Sequence, residues 1–315
     1  MPDLSIVTVN FNGEKYFKKY LDSLKSQTYQ NFEFIVVDNA STDNSLKIIE
    51  REYPSARIIK NPENLGYCKS VNLGIRISSG KYILTLNFDL ILENRFLEEM
   101  VKAMESDPEI GSVSGKLLKL LEGQKTKIID STGHIIYRNR VVKNRGSGEM
   151  DKGQYDHREY IFGVCGAAPL FRKKMLEEIK WQDEYLDEDF ISGYDDVDID
   201  WRANLAGWKA FYTPYAVAYH VRGGAFVKIS RKWRFLNFRN RYLLMLKNDT
   251  WNNILKDLPQ ILLFELGMLF SMIVQLHLIQ VIFNFFRLLP KFLKKRQFIQ
   301  SNRKASPKEI RKWFH

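Results

Sequence analysis

The first hundred residues alternate short β-rich runs with helical patterns, and this constrains the fold more than any other feature of the chain. Residues 4–9 form a near-continuous apolar run, suited to a strand buried on both faces. Tyr16, Phe17, Tyr20, Leu21 and Leu24 then recur at helical spacing. Strands over 34–37 and 57–59 flank a helix containing 46–50, and a helix over 71–77, ended near Gly80, leads into a strand over 82–86. Such alternation predicts an α/β fold with a Rossmann-like, mainly parallel sheet and helices on both faces. Ligands bind such sheets at the carboxyl ends of the strands, so the loops that follow them are the first place to seek a site.

Later segments read less evenly. Residues 117–160 lack a clear period, and Gly146, Gly148 and Gly153 among charged residues suggest a mobile surface loop. Val197, Trp201 and Leu205 mark the buried stripe of a helix, and residues 212–219 read as a strand.

Charge divides the chain. Residues 1–220 carry 29 Lys+Arg against 33 Asp+Glu, whereas residues 221–315 carry 19 against 4. A mildly acidic globular domain over 1–230 is therefore expected ahead of a basic helical module over 231–315. Residues 266–286 hold no formally charged side chain apart from His277 and are long enough to span a bilayer. Glu265, His277, Gln280, Asn284 and Arg287 would share about a third of the circumference of one continuous helix. That polarity favours a helix lying in the membrane interface, with Lys291, Lys294, Lys295 and Arg296 meeting anionic headgroups. A true span, or an apolar helix in the core or a dimer interface, are the other readings, and whether the chain forms a homo-oligomer stays open. Two distant cysteines, Cys68 and Cys165, form no metal pattern and fit a reducing compartment. No signal-peptide pattern precedes the first strand, so a cytoplasmic location at the inner membrane face is expected. Nucleic acid is not an expected partner, because the basic residues cluster beside an apolar helix.

Four polar segments could carry chemistry. Thr8-Val9-Asn10-Phe11-Asn12 and Asp38-Asn39-Ala40-Ser41 follow the first two strands, where a carboxylate can accept from a base or a ribose. Turn formation and capping of the next helix by Ser41, Thr42 or Asp43 are the plainer explanation. Asn87-Phe88-Asp89 follows the strand over 82–86, where a carboxylate could hold a divalent cation against a diphosphate, or simply begin a turn. Asp195, Asp196, Asp198 and Asp200 crowd a helix start, more acid than the helix dipole needs, so a cation or a shared proton must offset their repulsion. His220 ends a strand; it is a structural histidine unless the fold brings it beside Asp89.

Taken together and in order, these segments resemble glycosyltransferase family 2, the inverting enzymes of GT-A fold. The resemblance covers about residues 4–248, and Asn64-Leu65-Gly66 with Asn72 matches a further family loop. It implies transfer of a sugar from a nucleotide-diphosphate donor with Mg²⁺ or Mn²⁺. Thr8, Val9, Asn10, Asn12, Asp38, Asn39, Ser41, Asn64, Gly66, Asn72, Asn87 and Phe88 would form the nucleotide-sugar site. Asp89 and His220 would bind metal, Asp196 would be the general base, and Asp195 would take the place of a preceding glutamate. Asn87 departs from a strict DxD. Gly163-Val164-Cys165-Gly166, Gly207-Trp208 and Arg239-Asn240-Arg241 resemble the rhamnosyltransferase-like branch, which implies a deoxyhexose and a lipid-linked or cell-surface glycan acceptor at a membrane. A sugar nucleotidyltransferase is the rival enzyme, but residues 10–13 lack its Gly-rich basic loop. A membrane-held scaffold with a degenerate site is the non-enzymatic alternative.

Overall fold

A computed structural model describes residues 2–221, 231–274 and 278–315. The predicted alternation is observed: β1 (Leu4–Asn10), α1 (Glu14–Lys25), β2 (Phe32–Asp38), α2 (Ser45–Glu52), β3 (Arg57–Lys60), α3 (Tyr67–Ile77) and β4 (Tyr82–Thr85). Then come β5 (Leu90–Leu92), α4 (Phe96–Glu105), β6 (Ile110–Leu121), β7 (Gln124–Ser131), β8 (His134–Ile136), β9 (Val142–Asn144), β10 (Glu159–Ile161) and β11 (Leu170–Arg172). Helices α5 (Lys173–Ile179) and α6 (Asp195–Leu205) precede β12 (Lys209–His220). The chain ends in α7 (Arg231–Asn248), α8 (Trp251–Lys256), α9 (Leu258–Val274), α10 (Leu278–Ser301) and α11 (Pro307–Arg311).

The main sheet runs β10-β12-β6-β11-β4-β1-β2-β3, with β5 added to β12 and β7 to β6. Strands β1, β2, β3 and β4 pair in parallel, as do β6 and β12, while β11, β10, β5 and β7 run antiparallel to their neighbours. The sheet is therefore mixed. Side chains alternate faces along a strand, and the central strands use both. Leu4, Ile6, Phe34, Val36 and Leu84 feed one core with Phe17 and Leu21 of α1 and Phe96 and Met100 of α4. Val7, Ile35, Val37 and Ile83 feed the other, with Val71 of α3, Trp201 of α6, Leu243 of α7, Phe292 of α10 and Phe314. The C-terminal helices thus share a core with the sheet.

Two expectations are corrected. The stretch 117–160, read as irregular, is about half β-structure: β6 and β7 form a hairpin, and β8 and β9 form a separate two-stranded sheet. Its period was hidden because β7 turns lysines toward solvent and its turns use positive-φ residues such as Glu122, Gly123 and Gly133. The window 266–286 falls on α9 and α10, and its residues 275–277, His277 among them, lie outside the described residues. Among the described residues no helix is long and apolar enough to cross a membrane. The basic tail is also largely internal. Lys295 is 1% exposed and bonds Glu184, Asp187 and Asp189, Lys291 pairs with Asp189, and Arg296 donates to the carbonyls of Leu246 and Asp249. Lys294 is exposed.

Candidate active site

The carboxyl ends of β1, β2 and β4 lie side by side because these strands are parallel and in register, with Asn10 opposite Asp38 and Val7 opposite Thr85. Asn10 donates through Nδ2 to Asp38 Oδ1 at 2.7 Å and to Ser45 Oγ at 2.8 Å. Asp38 Oδ2 accepts the Ser41 N–H, Ser41 Oγ accepts the Asn12 N–H, and Asn12 Oδ1 accepts the Thr42 N–H at 2.7 Å. Asn39 bridges to the third loop, donating to Asn64 Oδ1 at 2.8 Å and accepting from Leu65 N. The first two loops are thereby zipped together and the third is tied to them. Asn12 and Asn64 stay exposed, while Asn10 and Asp38 form the buried frame beneath.

The next loop joins through the backbone. Leu86 N donates to Val7 O, and Asn87 N donates to Ala167 O at 2.9 Å. One residue away, Gly166 N donates to Asp196 Oδ2 at 2.9 Å. The β4 loop, the 163–167 segment and the start of α6 therefore meet at one edge. Antiparallel pairing of β5 with β12 sets Leu90 opposite His220 and brings Asp89 beside it. His220 Nε2 lies 3.3 Å from Asp89 Oδ1, and its Nδ1 lies 2.8 Å from Asp130 on β7. Burial alone would lower this histidine; the two carboxylates override it and hold the imidazolium up to about 9.

These donors suit a divalent cation. Cis ligands of an octahedral ion with bonds of about 2.1 Å stand about 3 Å apart, close to the separation of Asp89 Oδ1 and His220 Nε2. Asp130, 2.8 Å from Nδ1, stands where an outer carboxylate could orient His220 were its Nε2, once deprotonated, to ligate a metal. A second acidic group, Glu184, Asp187 and Asp189, also has metal-like spacing, but Lys295 Nζ bonds all three and supplies the countercharge.

The four aspartates of α6 divide by environment. Asp198 is fully buried against Arg202 and Lys247, and Asp200 is fully buried beside His134 Nδ1 at 2.9 Å. Burial raises Asp200 to about 6 even so. Protein cations thus meet much of the repulsion expected of this window. Asp195 is 7% exposed, and desolvation followed by the neighbouring Asp196 charge raises it to about 7. Asp196 alone among the four keeps an open side chain, 25% exposed, held by Gly166 N and with His134 Nε2 at 3.4 Å. Glycines permit this approach: a Cβ at 166 would lie 2.7 Å from Asp196 Oδ2, and one at 163 would lie 1.9 Å from Asp200 Oδ2.

Several predicted contacts face the wrong way. Thr8 is fully buried on the α1 side with its hydroxyl 2.6 Å from Tyr20 Oη, because alternation turns it from the ligand edge. Val9 packs against the opposite core, and Phe88 is 4% exposed and stacked on Phe17 at 5.3 Å. Asn72 is buried, with its carboxamide spent on both backbone groups of Leu186. Asp195 likewise lies inside. Gly66 and half-buried Asn87 remain at the edge. Two residues that the sequence did not single out, Asp130 and His134, stand behind His220 and Asp196. Their partners lie 90 and 62 positions away, a distance no local pattern bridges.

Residues 5–180 match the family model "Glycosyl transferase family 2". The chain belongs to glycosyl transferase family 2. It is 32% identical over 149 residues to an uncharacterized glycosyltransferase of Haemophilus influenzae, covering 45% of this chain and 46% of that one. A second H. influenzae relative is 30% identical with 59% of its length aligned, so the match spans about half of each. An uncharacterized glycosyltransferase of Methanocaldococcus jannaschii is 28% identical over 67% of this chain and 86% of its own. In fold, the chain is similar to a mannosyltransferase from Pyrobaculum calidifontis in complex with GDP-Man and Mn²⁺ (TM-score 0.56, 16% identity, 96% of this chain and 84% of that one). It is also similar to GalNAc-T7 with UDP, GalNAc and Mn²⁺ (TM-score 0.61, 14% identity, 78% and 48%). At such identity these likenesses establish the GT-A-type fold alone.

Proposed function

We propose that this family 2 glycosyltransferase moves a sugar from a nucleoside-diphosphate donor to an acceptor hydroxyl with inversion, using Asp196 as the general base. The observation that carries the reading is the position of Asp196. It is the one aspartate of its cluster with an open carboxylate, fixed by a backbone N–H at the edge that also bears Asp38, Asn87 and Asp89. Asp196 would take the proton of the acceptor hydroxyl as that oxygen attacks the anomeric carbon in line with the leaving diphosphate. Asp38 with Asn12, Ser41 and Asn64 would receive the nucleoside. Asp89 and His220 would hold Mg²⁺ or Mn²⁺, which when bound supplies Lewis-acid stabilisation of the departing diphosphate.

The finer reading is a rhamnosyl or other deoxyhexosyl transfer to a lipid-linked or cell-surface glycan. It rests on the resemblance of residues 163–168, 207–208 and 239–241, and the relation to nucleotide-sugar-bound neighbours supports the donor class. Placement at the inner membrane face is supported by exposed apolar side chains on the C-terminal helices, Leu255, Leu263, Leu266, Phe283 and Phe286, each more than 60% exposed.

Release of nucleoside diphosphate from a panel of UDP-, GDP- and dTDP-sugars with Mn²⁺ tests the base assignment. Asp196→Asn should lower turnover by about 10²–10⁴ while leaving nucleotide binding intact. Wild-type turnover in a folded, nucleotide-binding Asp196→Asn protein excludes the role.

A further inference from the structure

We infer that His134 is a positioning residue for the general base: anchored by Asp200, its imidazole holds the Asp196 carboxylate in place for proton abstraction. This rests on the assignment of Asp196 as base. His134 opens β8, and its backbone N–H donates to Gly163 O at 2.8 Å, which lays the strand beside the 163–166 segment. Its Nδ1 is 2.9 Å from Asp200 Oδ2 and its Nε2 is 3.4 Å from Asp196 Oδ2. Ionised carboxylates only accept, so a ring nitrogen that bonds one does so as a donor. The far end cannot drift, because the buried Asp200 also takes the Val164 N–H, 3.0 Å from each of its oxygens.

The near end matters because Asp196 shares its helix start with other acids. Asp195 and Asp200 of its own helix lie close enough to repel it when ionised. The Gly166 N–H donates to Asp196 Oδ2 and the Val197 N–H to its Oδ1, both at 2.9 Å, while His134 Nε2 stands 3.4 Å from Oδ2 on the side chain's remaining flank. Removing a donor from an ionised carboxylate disfavours that form. Asp196 and Asp200 are four residues apart on α6 and therefore share a face, which lets one imidazole span both.

His134→Asn in the full chain separates this role from simple packing. The Asn amide can still donate to Asp200 from the Nδ1 position, but nothing replaces Nε2. The assay is nucleoside diphosphate release, with Mn²⁺, from whichever UDP-, GDP- or dTDP-sugar the wild type turns over fastest. Turnover should fall about 10–100-fold, as for loss of one hydrogen bond to a charged group. The donor KM should stay within about twofold, and the acid limb of the kcat profile should move to higher pH. His134→Gln, which returns a donor near the Nε2 position, should recover part of the rate and of the limb. Wild-type turnover and an unmoved limb in His134→Asn, with Asp196→Asn inactive, would overturn the role of His134 and leave the base assignment standing. A fall in rate with an unmoved limb and a lowered melting temperature would reduce His134 to a packing residue. Wild-type turnover in Asp196→Asn would remove both assignments together.

Discussion

Position 166 shows how narrowly the site is built at the scale of single residues. Its N–H reaches Asp196 only because no side chain intervenes, and an added methyl would fall 2.7 Å from the carboxylate oxygen and 3.0 Å from Asp196 Cβ. Gly166→Ala should therefore push the base aside and reduce turnover by about 10²-fold, the usual cost of a misplacement near 1 Å. The melting temperature should change little, because the site is partly open; steady-state kinetics beside thermal melting check both. At this scale the sequence is legible where function depends on chain position. Asp38, Asp89, Asp196 and His220 all stand at strand or helix ends, as their loops suggest. It misleads where function depends on facing. Thr8 and Phe88 sit in the right loops but point into the α1 core, and which way a residue points is settled by pairing with distant strands.

Among the elements, the turn before α6 carries the most strain and the most support. Ile191 and Tyr194 have φ of 65° and Gly193 has 82°, so two non-glycine residues adopt left-handed backbone ahead of the aspartate pair. Asn240 of α7 offsets this by donating to the carbonyls of Phe190, Ser192 and Gly193. Asn240→Ala should cost about 1–3 kcal/mol, since the buried carbonyls lose their donor, and should slow turnover through the loosened turn. Denaturant unfolding and kinetics read the two effects. Behind the turn, Lys247 and Lys295 clamp Asp187. Burial would raise Asp187, but the two ammonium groups override it and hold it below the usual carboxylate range. A depressed carboxylate contributes stability above its unfolded value of about 3.9 and loses it as pH falls through its folded value. Lys295→Met should cost about 3–5 kcal/mol at neutral pH by leaving buried acids uncompensated, and the deficit should shrink below about pH 4. Urea unfolding at pH 7 and pH 3.5 measures it; an equal deficit at both would contradict the clamp. None of this support was legible locally, because Lys291 and Lys295 look like a basic tail until α10 is seen packed on α7 and the 184–189 acids.

For the whole molecule, two properties set what the protein meets. The sheet gathers its loops at one edge, as expected of parallel strands, and that part of the architecture was readable from alternation alone. The C-terminal helices close the second core yet leave a broad apolar surface, including Leu263 at 75% and Leu266 at 69% exposure. If that surface meets lipid, the wild type should co-sediment with phosphatidylglycerol vesicles, and a Leu263→Asp/Phe283→Asp double variant should stay in solution with its melting temperature unchanged. Retained sedimentation of the double variant would remove the surface from consideration. The claim beneath the whole account is that distant loops form one cation-assisted sugar-nucleotide site. Anomalous scattering from crystals grown with Mn²⁺ and UDP tests it most directly. The account predicts a manganese peak bonded to Asp89 and His220 Nε2, with the diphosphate beside it and Asp196 facing the open side; manganese seated at Glu184, Asp187 and Asp189, or nucleotide bound away from Asp38, would contradict it.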